Sequence, residues 1–266
     1  LILLANPRKI VPTGLNLAIS CAHGEVIIRI DGHTLIAPDY VSQCIRTLGR
    51  TQADNVGGRM NATSDTVFGK AVAIATSTSF GIGDSRFHFS NKEECVDSVY
   101  MGAWPRQIFK RIGLFDEELV RDQDDEFNYR ITKNRGKIVL NPDIHSIYSV
   151  RSSPKTLWKQ YFQYGYWKVR VLQKHPRQMS LRQFVPPVFV LALILSAVMA
   201  FFIPFGKFLL ALVAGSYLLA SLCASVLTAN QRGWKHLSLL PIVFAILHLS
   251  YGLGFLAGLV KFVNRW

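Results

Sequence analysis

The apolar residues of the first 150 positions form short runs separated by polar turns, and the runs alternate between strand-like and helix-like spacing. Strands are predicted at residues 1–5, 25–30, 53–62, 96–103 and 136–141. Helices are predicted at residues 14–23, 38–50, 68–76 and 106–112, and a further helix begins at residues 122–126. The first strand, helix and second strand form a βαβ unit with a right-handed crossover, in which residues 25–30 are a strand buried on both faces of a parallel sheet. The pattern predicts an α/β domain.

Three longer apolar runs follow at residues 185–203, 208–229 and 237–260, and none of them carries a charged side chain. Each run is long enough to cross about 30 Å of hydrocarbon as a helix, although the third run can also be a re-entrant segment. In the third run, the spacing of Gly254 and Gly258 indicates either close helix packing or plain flexibility. We therefore predict about three transmembrane helices.

Residues 154–176, before these runs, have an aromatic face and a basic face on one helix or two. Aromatic side chains with cations and no acids suit the headgroup layer of an anionic leaflet, while packing on the soluble domain is the alternative. Basic residues before residue 185 and in the 231–236 loop indicate that the soluble domain is cytoplasmic.

Charge is unevenly distributed along the 266 residues, whose net charge is +13. Residues 1–150 contain 17 Lys/Arg and 17 Asp/Glu, whereas residues 151–266 contain 13 Lys/Arg and no acid. This distribution does not indicate nucleic-acid binding, because the basic residues flank apolar runs instead of forming a patch on a polar domain. The four cysteines are widely separated, which argues against a disulfide framework or zinc site and favours reduced, buried thiols in the cytosol.

The predicted strand at residues 25–30 ends in Asp31, Gly32 and His33. In open α/β sheets, ligands bind beyond the carboxyl ends of the strands. One carboxylate and one imidazole two residues apart can face a single divalent cation, with Gly32 letting the backbone bend. The alternative is an ordinary polar turn after a strand.

A dense acidic cluster, Asp122-Gln123-Asp124-Asp125-Glu126, begins the last predicted helix. Backbone N–H groups at a helix start stabilise anions, so the cluster can be held for chemistry, or it can be a solvated face. On a helix Asp122 and either Asp125 or Glu126 face one way while Asp124 faces elsewhere, so the acids cannot all share one role.

A strand ending in Asp-Gly-His, an acidic cluster about 90 residues later, and an aromatic-basic helix before transmembrane spans occur in this order. The combination resembles family 2 glycosyltransferases of the GT-A fold, and it is most similar to the membrane-bound branch that includes succinoglycan-biosynthesis glucosyltransferases. The resemblance implies a Rossmann-like nucleotide-diphospho-sugar transferase domain at residues 1–150, whose first strands would precede residue 1. It further implies interfacial helices at residues 151–183 and a transmembrane region at residues 184–266.

The resemblance also assigns roles to residues. The family's metal motif falls on Asp31 and His33, which would hold Mg²⁺ or Mn²⁺, and its catalytic base falls on Asp124, with Asp125 as the alternative. Processive enzymes of the family carry a Gln-x-x-Arg-Trp motif, which aligns with Gln163 to Trp167. Tyr166 stands here in place of the arginine, so addition of a single sugar is expected. The implied donor- and acceptor-binding residues are Arg29, Gly102, Trp104, Arg106, Arg151, Gln163, Trp167 and Lys168. Residues 102–106 and 77–91 would line the acceptor side of the site. The apolar residues of 77–91 show no helix or strand periodicity, so this segment is either a mobile loop over a site or an ordinary surface loop.

The implied function is inverting, metal-dependent transfer of a sugar from a nucleotide-diphospho-sugar, a UDP-sugar first, to a lipid-linked or other glycan acceptor such as a polyprenyl-linked sugar. The implied location is the inner (plasma) membrane, as a multi-pass protein with a cytoplasmic catalytic domain that serves exopolysaccharide or related glycan synthesis. Two alternatives remain open from the residues themselves. One is a metal-dependent phospho- or nucleotidyltransferase, and the other is an inactive membrane-anchored scaffold.

Overall fold

The structure, a computed structural model, describes residues 1–83, 85–178 and 180–266. Within these residues the chain forms ten α-helices and eight strands. The helices are Val11–Cys21 (α1), Tyr40–Thr51 (α2), Val67–Ala75 (α3), Ser79–Ile82 (α4), Gln107–Ile112 (α5), Gln123–Lys133 (α6), Pro154–Lys174 (α7), Leu181–Phe202 (α8), Pro204–Arg232 (α9) and Leu240–Lys261 (α10). The strands are Val26–Ile28 (β1), Thr34–Ile36 (β2), Asn55–Gly58 (β3), Met60–Thr63 (β4), Glu94–Cys95 (β5), Tyr100–Pro105 (β6), Ile138–Leu140 (β7) and Ser146–Ser149 (β8).

The described residues form two compact units. The first unit contains residues 1–62 and 85–149, and the second contains residues 63–83 and 150–266. The short helices α3 and α4 therefore belong to the second unit, although they lie between strands of the first in the sequence. The predicted domain boundaries at residues 150 and 183 stay predictions.

The main sheet of the first unit has, among the described residues, five strands in the order β1-β6-β3-β7-β5. β3 and β7 run parallel, and the other neighbouring strands run antiparallel. Side chains of β7 alternate between the two faces, so Ile138 and Leu140 join one core cluster and Val139 joins the other. Helices α1, α5 and α6 contribute to the first cluster and α2 to the second, so the sheet is covered on both faces and the predicted α/β domain is confirmed.

A second, smaller sheet has the order β2-β8-β4 in the part of the chain that the structure describes. β2 and β8 pair antiparallel, with Leu35 opposite Ile147. Neither strand was expected from the apolar pattern, because each has only three or four residues and one exposed face. β2 begins at Thr34, directly after Asp31-Gly32-His33, so this sheet fixes the far end of that turn.

The prediction of a strand at residues 1–5 is wrong. Leu1, Ile2 and Leu3 are exposed, and no described strand pairs with this segment. The predicted βαβ unit and its parallel second strand are therefore wrong as well. β1 lies at the edge of the main sheet, is half-buried, and pairs antiparallel with β6.

Other boundaries differ for local reasons. α1 begins at Val11, three residues before the prediction, because Pro12 fits the first turn of a helix. The predicted strand at residues 96–103 begins only at Tyr100 and extends to Pro105. Residues 77–91 contain α4 and a 3₁₀ helix at Arg86–His88; residue 84 of this predicted loop lies outside the described residues, as does residue 179 of the predicted interfacial segment.

The cysteine prediction is also partly wrong. Cys44, on α2, is buried in the core, and all four thiols are free. However, Cys21, Cys95 and Cys223 are exposed, because each lies on the outer side of its helix or edge strand.

In the second unit, the predicted amphipathic segment is the single helix α7, and the predicted apolar runs are α8, α9 and α10. These three are the helices that, among the described residues, are long and apolar enough to cross a membrane. The third run is one continuous helix of 22 residues.

Glycines let α7 and α10 approach closely. A Cβ on Gly254 would lie 2.0 Å from the carbonyl oxygen of Phe162, and one on Gly258 would lie 2.6 Å from that of Tyr166. From the opposite helix, a Cβ on Gly165 would lie 2.0 Å from the carbonyl oxygen of Tyr251. The backbones therefore touch where only glycine fits, and of the two alternatives for Gly254 and Gly258 the structure shows close helix packing.

We expect Gly254→Ala to destabilise the second unit by about 1–3 kcal/mol, because the added methyl group overlaps a backbone oxygen that cannot move alone. The measurement is the thermal unfolding midpoint of the purified protein in detergent. Gly215→Ala in α9 is the matched control, since no atom lies within 4 Å of its added Cβ. Equal midpoints for both variants would contradict the close packing.

Candidate functional site

The segment after β1 lies between the two sheets of the first unit. The Arg29 N–H donates to the Gly102 carbonyl oxygen of β6 at 3.0 Å, and the Thr34 N–H donates to the Asp31 carbonyl oxygen at 3.0 Å. The first bond continues the β1–β6 pairing, and the second closes a turn over Gly32 and His33. Asp31 is therefore held at a fixed point between an edge strand and the start of β2.

The Arg29 side chain holds the Asp31 carboxylate at two points. Its Nε donates to Oδ1 at 2.7 Å and its Nη2 donates to Oδ2 at 3.2 Å. The Arg29 side chain is only 11% exposed, and its third nitrogen, Nη1, lies 3.9 Å from Oδ2 of Asp124. One guanidinium thus lies between the predicted metal ligand and the predicted base.

These charges determine the ionisation of Arg29. Burial works to lower the pKa of its guanidinium, but the negative charges of Asp124 and Asp31 outweigh burial and raise the pKa above its ordinary value. Arg29 is therefore charged at every physiological pH.

Asp124 reaches this point because α6 is anchored on the main sheet. Asn128, one turn along α6, accepts a hydrogen bond from Asn55 Nδ2 at 2.8 Å and donates one to Ser98 Oγ at 3.0 Å. Asp124 Oδ1 accepts the Asp125 backbone N–H at 2.9 Å. Its carboxylate is oriented on one oxygen, while the side chain remains 46% exposed and accessible to a substrate.

Glu126, in the same acidic cluster, has a structural role. Its side chain is 3% exposed and accepts two hydrogen bonds from Arg130, at 2.8 and 3.0 Å. Arg130 also donates to the carbonyl oxygens of Ile112 and Leu114. This buried pair ties α6 to the end of α5, so the expectation that the acids do not share one role is confirmed.

His33 lies in an aromatic neighbourhood that the sequence analysis missed. Its exposed ring meets the Tyr148 ring edge-on at 5.2 Å, and Tyr148 meets Tyr100 edge-on at 5.6 Å. Tyr100 and Thr34 share a hydrogen bond of 2.5 Å between their hydroxyl groups. Burial raises the pKa of Tyr100 to about 12, so its hydroxyl keeps its proton at neutral pH. Thr34, Tyr100 and Tyr148 come from β2, β6 and β8, and no spacing in the sequence links them to His33.

The Asp31–His33 turn fits a divalent cation shared with a substrate. Each Asp31 oxygen accepts one hydrogen bond from Arg29 and keeps a second lone pair, and the His33 ring is exposed. Within the described residues no group of three or more His, Cys, Asp or Glu side chains could hold a metal. Mg²⁺ commonly takes one or two protein ligands and completes its shell with substrate phosphates and water. The chemistry of these two side chains matches that pattern.

The other predicted binding residues of β6 are not all near this point. Gly102 has a φ of +111°, and a Cβ there would lie 2.4 Å from the Trp104 ring and 2.9 Å from Asn55 Oδ1, so only glycine fits. Trp104 is 2% exposed and packs among the core phenylalanines. Arg106 lies at the opposite end of the β1–β6 pairing, where its guanidinium donates to the carbonyl oxygens of Ala22 and Gly24. The geometry gives no support to binding roles for Trp104 and Arg106, which stay predictions.

The remaining predicted residues belong to the second unit. Gln163 and Trp167 line an open groove along α7, together with Trp158, Lys159, Phe162 and Tyr166. Lys168 is 6% exposed and buried on another face of the helix, whereas Arg151 is exposed in the segment before α7. Tyr166, which stands where processive enzymes of the family carry Arg, packs against Phe262 with ring centroids 5.0 Å apart.

Comparison with known proteins agrees with this architecture. Residues 2–113 match the model of the glycosyl transferase family 2. The succinoglycan biosynthesis protein ExoA of Rhizobium meliloti (strain 1021) is 26% identical over 264 residues, which cover 98% of this chain and 78% of that protein. A dolichyl N-acetyl-α-D-glucosaminyl phosphate 3-β-D-2,3-diacetamido-2,3-dideoxy-β-D-glucuronosyltransferase of Methanococcus voltae is also 26% identical over 264 residues, covering 96% of this chain and 77% of that protein.

A solved structure shares the fold. The mannosyltransferase PcManGT from Pyrobaculum calidifontis, in complex with GDP-Man and Mn²⁺, aligns with a TM-score of 0.51 and 17% identity over 94% of this chain and 67% of that chain. The mixed α/β sheet, the matched family domain and the two relatives lead to one conclusion. Residues 2–113 match the glycosyl transferase family 2, the chain has the GT-A fold, and helices long enough to span a membrane follow.

Proposed function

We propose that this glycosyltransferase moves one sugar, with inversion, from a nucleotide-diphospho-sugar to a lipid-linked acceptor at the cytoplasmic face of the inner membrane. The observation that carries the proposal is the row Asp31–Arg29–Asp124, in which a carboxylate suited to a cation and an exposed carboxylate suited to proton transfer flank one buried guanidinium.

On the donor side, Asp31 and His33 would hold Mg²⁺ or Mn²⁺ together with the donor diphosphate. When bound, the cation neutralises charge that develops on the leaving nucleotide. The mannosyltransferase of the same fold is bound to GDP-Man and Mn²⁺, which supports a divalent metal and a nucleotide-sugar donor. A UDP-sugar is the first donor to test and a GDP-sugar the second. Gly102 supports this side of the site, because its carbonyl oxygen accepts the Arg29 backbone N–H.

On the acceptor side, Asp124 acts as the general base. Its carboxylate is exposed enough to meet an acceptor hydroxyl, and Oδ2 is not the oxygen held by the Asp125 N–H. An ionised carboxylate is the form that accepts a proton. A single displacement at the anomeric carbon inverts its configuration.

The acceptor is a lipid-linked glycan in this proposal. One relative is a succinoglycan biosynthesis protein, and the other is named for a dolichyl-linked phosphate acceptor. The apolar helices α8, α9 and α10 would keep the enzyme at the membrane where such lipids reside. Gln163 and Trp167 on α7, with Arg151 and Lys168, are the proposed contacts to donor or acceptor in the second unit, and Tyr166 in place of Arg favours addition of one sugar.

We expect Asp124→Asn to lower kcat by about 100-fold or more, because the amide cannot accept the acceptor proton. The measurement uses the full-length protein in membranes, labelled UDP- and GDP-sugars with Mn²⁺, and counting of label in extracted lipids. Asp125→Asn is the matched control and should keep most of the activity. If Asp125→Asn lost much more activity than Asp124→Asn, Asp125 would be the base.

We also expect Asp31→Asn and His33→Ala each to lower transfer by about 100-fold or more, because the cation would lose a protein ligand. Chelation should abolish transfer in the wild type, and added Mn²⁺ should restore it. His145→Ala, a change at another exposed histidine of the first unit, should be neutral. Transfer that survives chelation would exclude the metal from the mechanism.

A further inference from the structure

We infer that Arg29 is a positioning residue that couples the metal-side carboxylate Asp31 to the base Asp124, so that the base is held most firmly when the donor side is occupied. The inference rests on the proposed function and deepens it. It assigns to Arg29 a role between two protein side chains, which differs from a simple contact to the donor.

The Arg29 guanidinium interacts more strongly with Asp31 than with Asp124. Two of its nitrogens hold Asp31 with the geometry of a two-point pair. The third, Nη1, is buried and has no hydrogen-bond partner among the described residues. Asp124 Oδ2, at 3.9 Å, is just beyond hydrogen-bond distance.

A buried N–H without a partner is unfavourable, and a shift of less than about 1 Å would bring Nη1 into hydrogen-bond range of Asp124. Asp31 resists that shift in the free protein, because its full negative charge attracts Arg29. A divalent cation on Asp31 competes for the same charge and weakens the Arg29–Asp31 attraction. Arg29 then closes on Asp124 and orients its carboxylate.

The surroundings limit Arg29 to this small movement. Its backbone N–H is fixed on Gly102, and Asp124 is fixed from its own side by the Asp125 N–H. Lysine cannot replace Arg29 here, because a single ammonium group lacks the planar fork that holds one anion at two points while a third nitrogen faces another.

The first experiment measures Mn²⁺ binding to the full-length protein by electron paramagnetic resonance, alone and with UDP or GDP, for wild type, Arg29→Lys and Arg29→Gln. Since Arg29 competes with the cation for Asp31, Arg29→Gln should bind Mn²⁺ about threefold to tenfold more tightly. Arg50→Gln is the control, because Arg50 holds Glu93 by a similar two-point pair at the exposed surface, and its Mn²⁺ affinity should not change.

The second experiment measures turnover for the same variants and for the double variant of Arg29→Gln with Asp124→Asn. We expect Arg29→Gln to lower kcat by about 100-fold with a donor KM within about threefold of wild type, and Arg29→Lys to lower kcat by about tenfold. In a protein that already carries Asp124→Asn, the added Arg29→Gln change should lower kcat by less than about threefold, because Arg29 acts through Asp124.

Tighter Mn²⁺ binding combined with slower turnover would support the coupling, since a merely disrupted site would lose both. Unchanged or weaker Mn²⁺ binding in Arg29→Gln would overturn the inference, as would a full additional loss of kcat in the double variant. Wild-type activity in Arg29→Lys, which keeps the charge and is the variant least disruptive to folding, would also overturn it. If wild type transfers no sugar from any donor, the proposed function fails, and the Mn²⁺ titrations still decide the role of Arg29.

Discussion

A buried guanidinium must be matched by negative charge, and much of the first unit is arranged to meet that requirement for Arg29. Arg29 follows an edge strand and is nearly inaccessible to water, so its charge would be costly without Asp31 and Asp124. The pairing of β1 with β6 sets its backbone, and α6 brings the second carboxylate. The two carboxylates come from different elements of the first unit, and the Arg29 guanidinium is the positive charge that they share.

The supports of this arrangement are themselves buried polar contacts. Asn128 fixes α6 on Asn55 of β3 and on Ser98, while Glu126 fixes the same helix through Arg130. Buried hydrogen bonds and ion pairs have narrow geometric tolerance, so they define one position for the start of α6. The acidic cluster thus combines a buried carboxylate, Glu126, that maintains the fold with an exposed one, Asp124, and the division follows the helix period.

The sequence could predict most of the helices and the long apolar runs, because periodicity and uncharged length follow directly from burial. The short helix α4 was missed, since residues 77–91 show no apolar period. The sequence could not predict strand pairing, since the apolar pattern of residues 25–30 is the same for a parallel central strand and for an antiparallel edge strand. The sequence also led to the prediction that residues 102–106 all line one side of the site. In the structure Met101 and Gly102 have positive φ and the β3–β6 register shifts, so regular alternation along β6 is lost. Arg29 was predicted only as a donor- or acceptor-binding residue. Its place within an apolar run was a signal that it pairs with carboxylates, because a buried charge needs a partner.

The charge of the row also explains why a cation is expected there. One guanidinium between two carboxylates leaves a net charge of about −1, which repels a diphosphate at close range. A site built only from these three groups would therefore favour an acceptor hydroxyl over a nucleotide donor. In the proposed mechanism, a divalent cation on Asp31 would reverse the sign of the local charge and would weaken the hold of Asp31 on Arg29. Attraction of the donor and orientation of the base by Arg29 would then both follow from binding of the metal, and neither would require a large movement of the backbone.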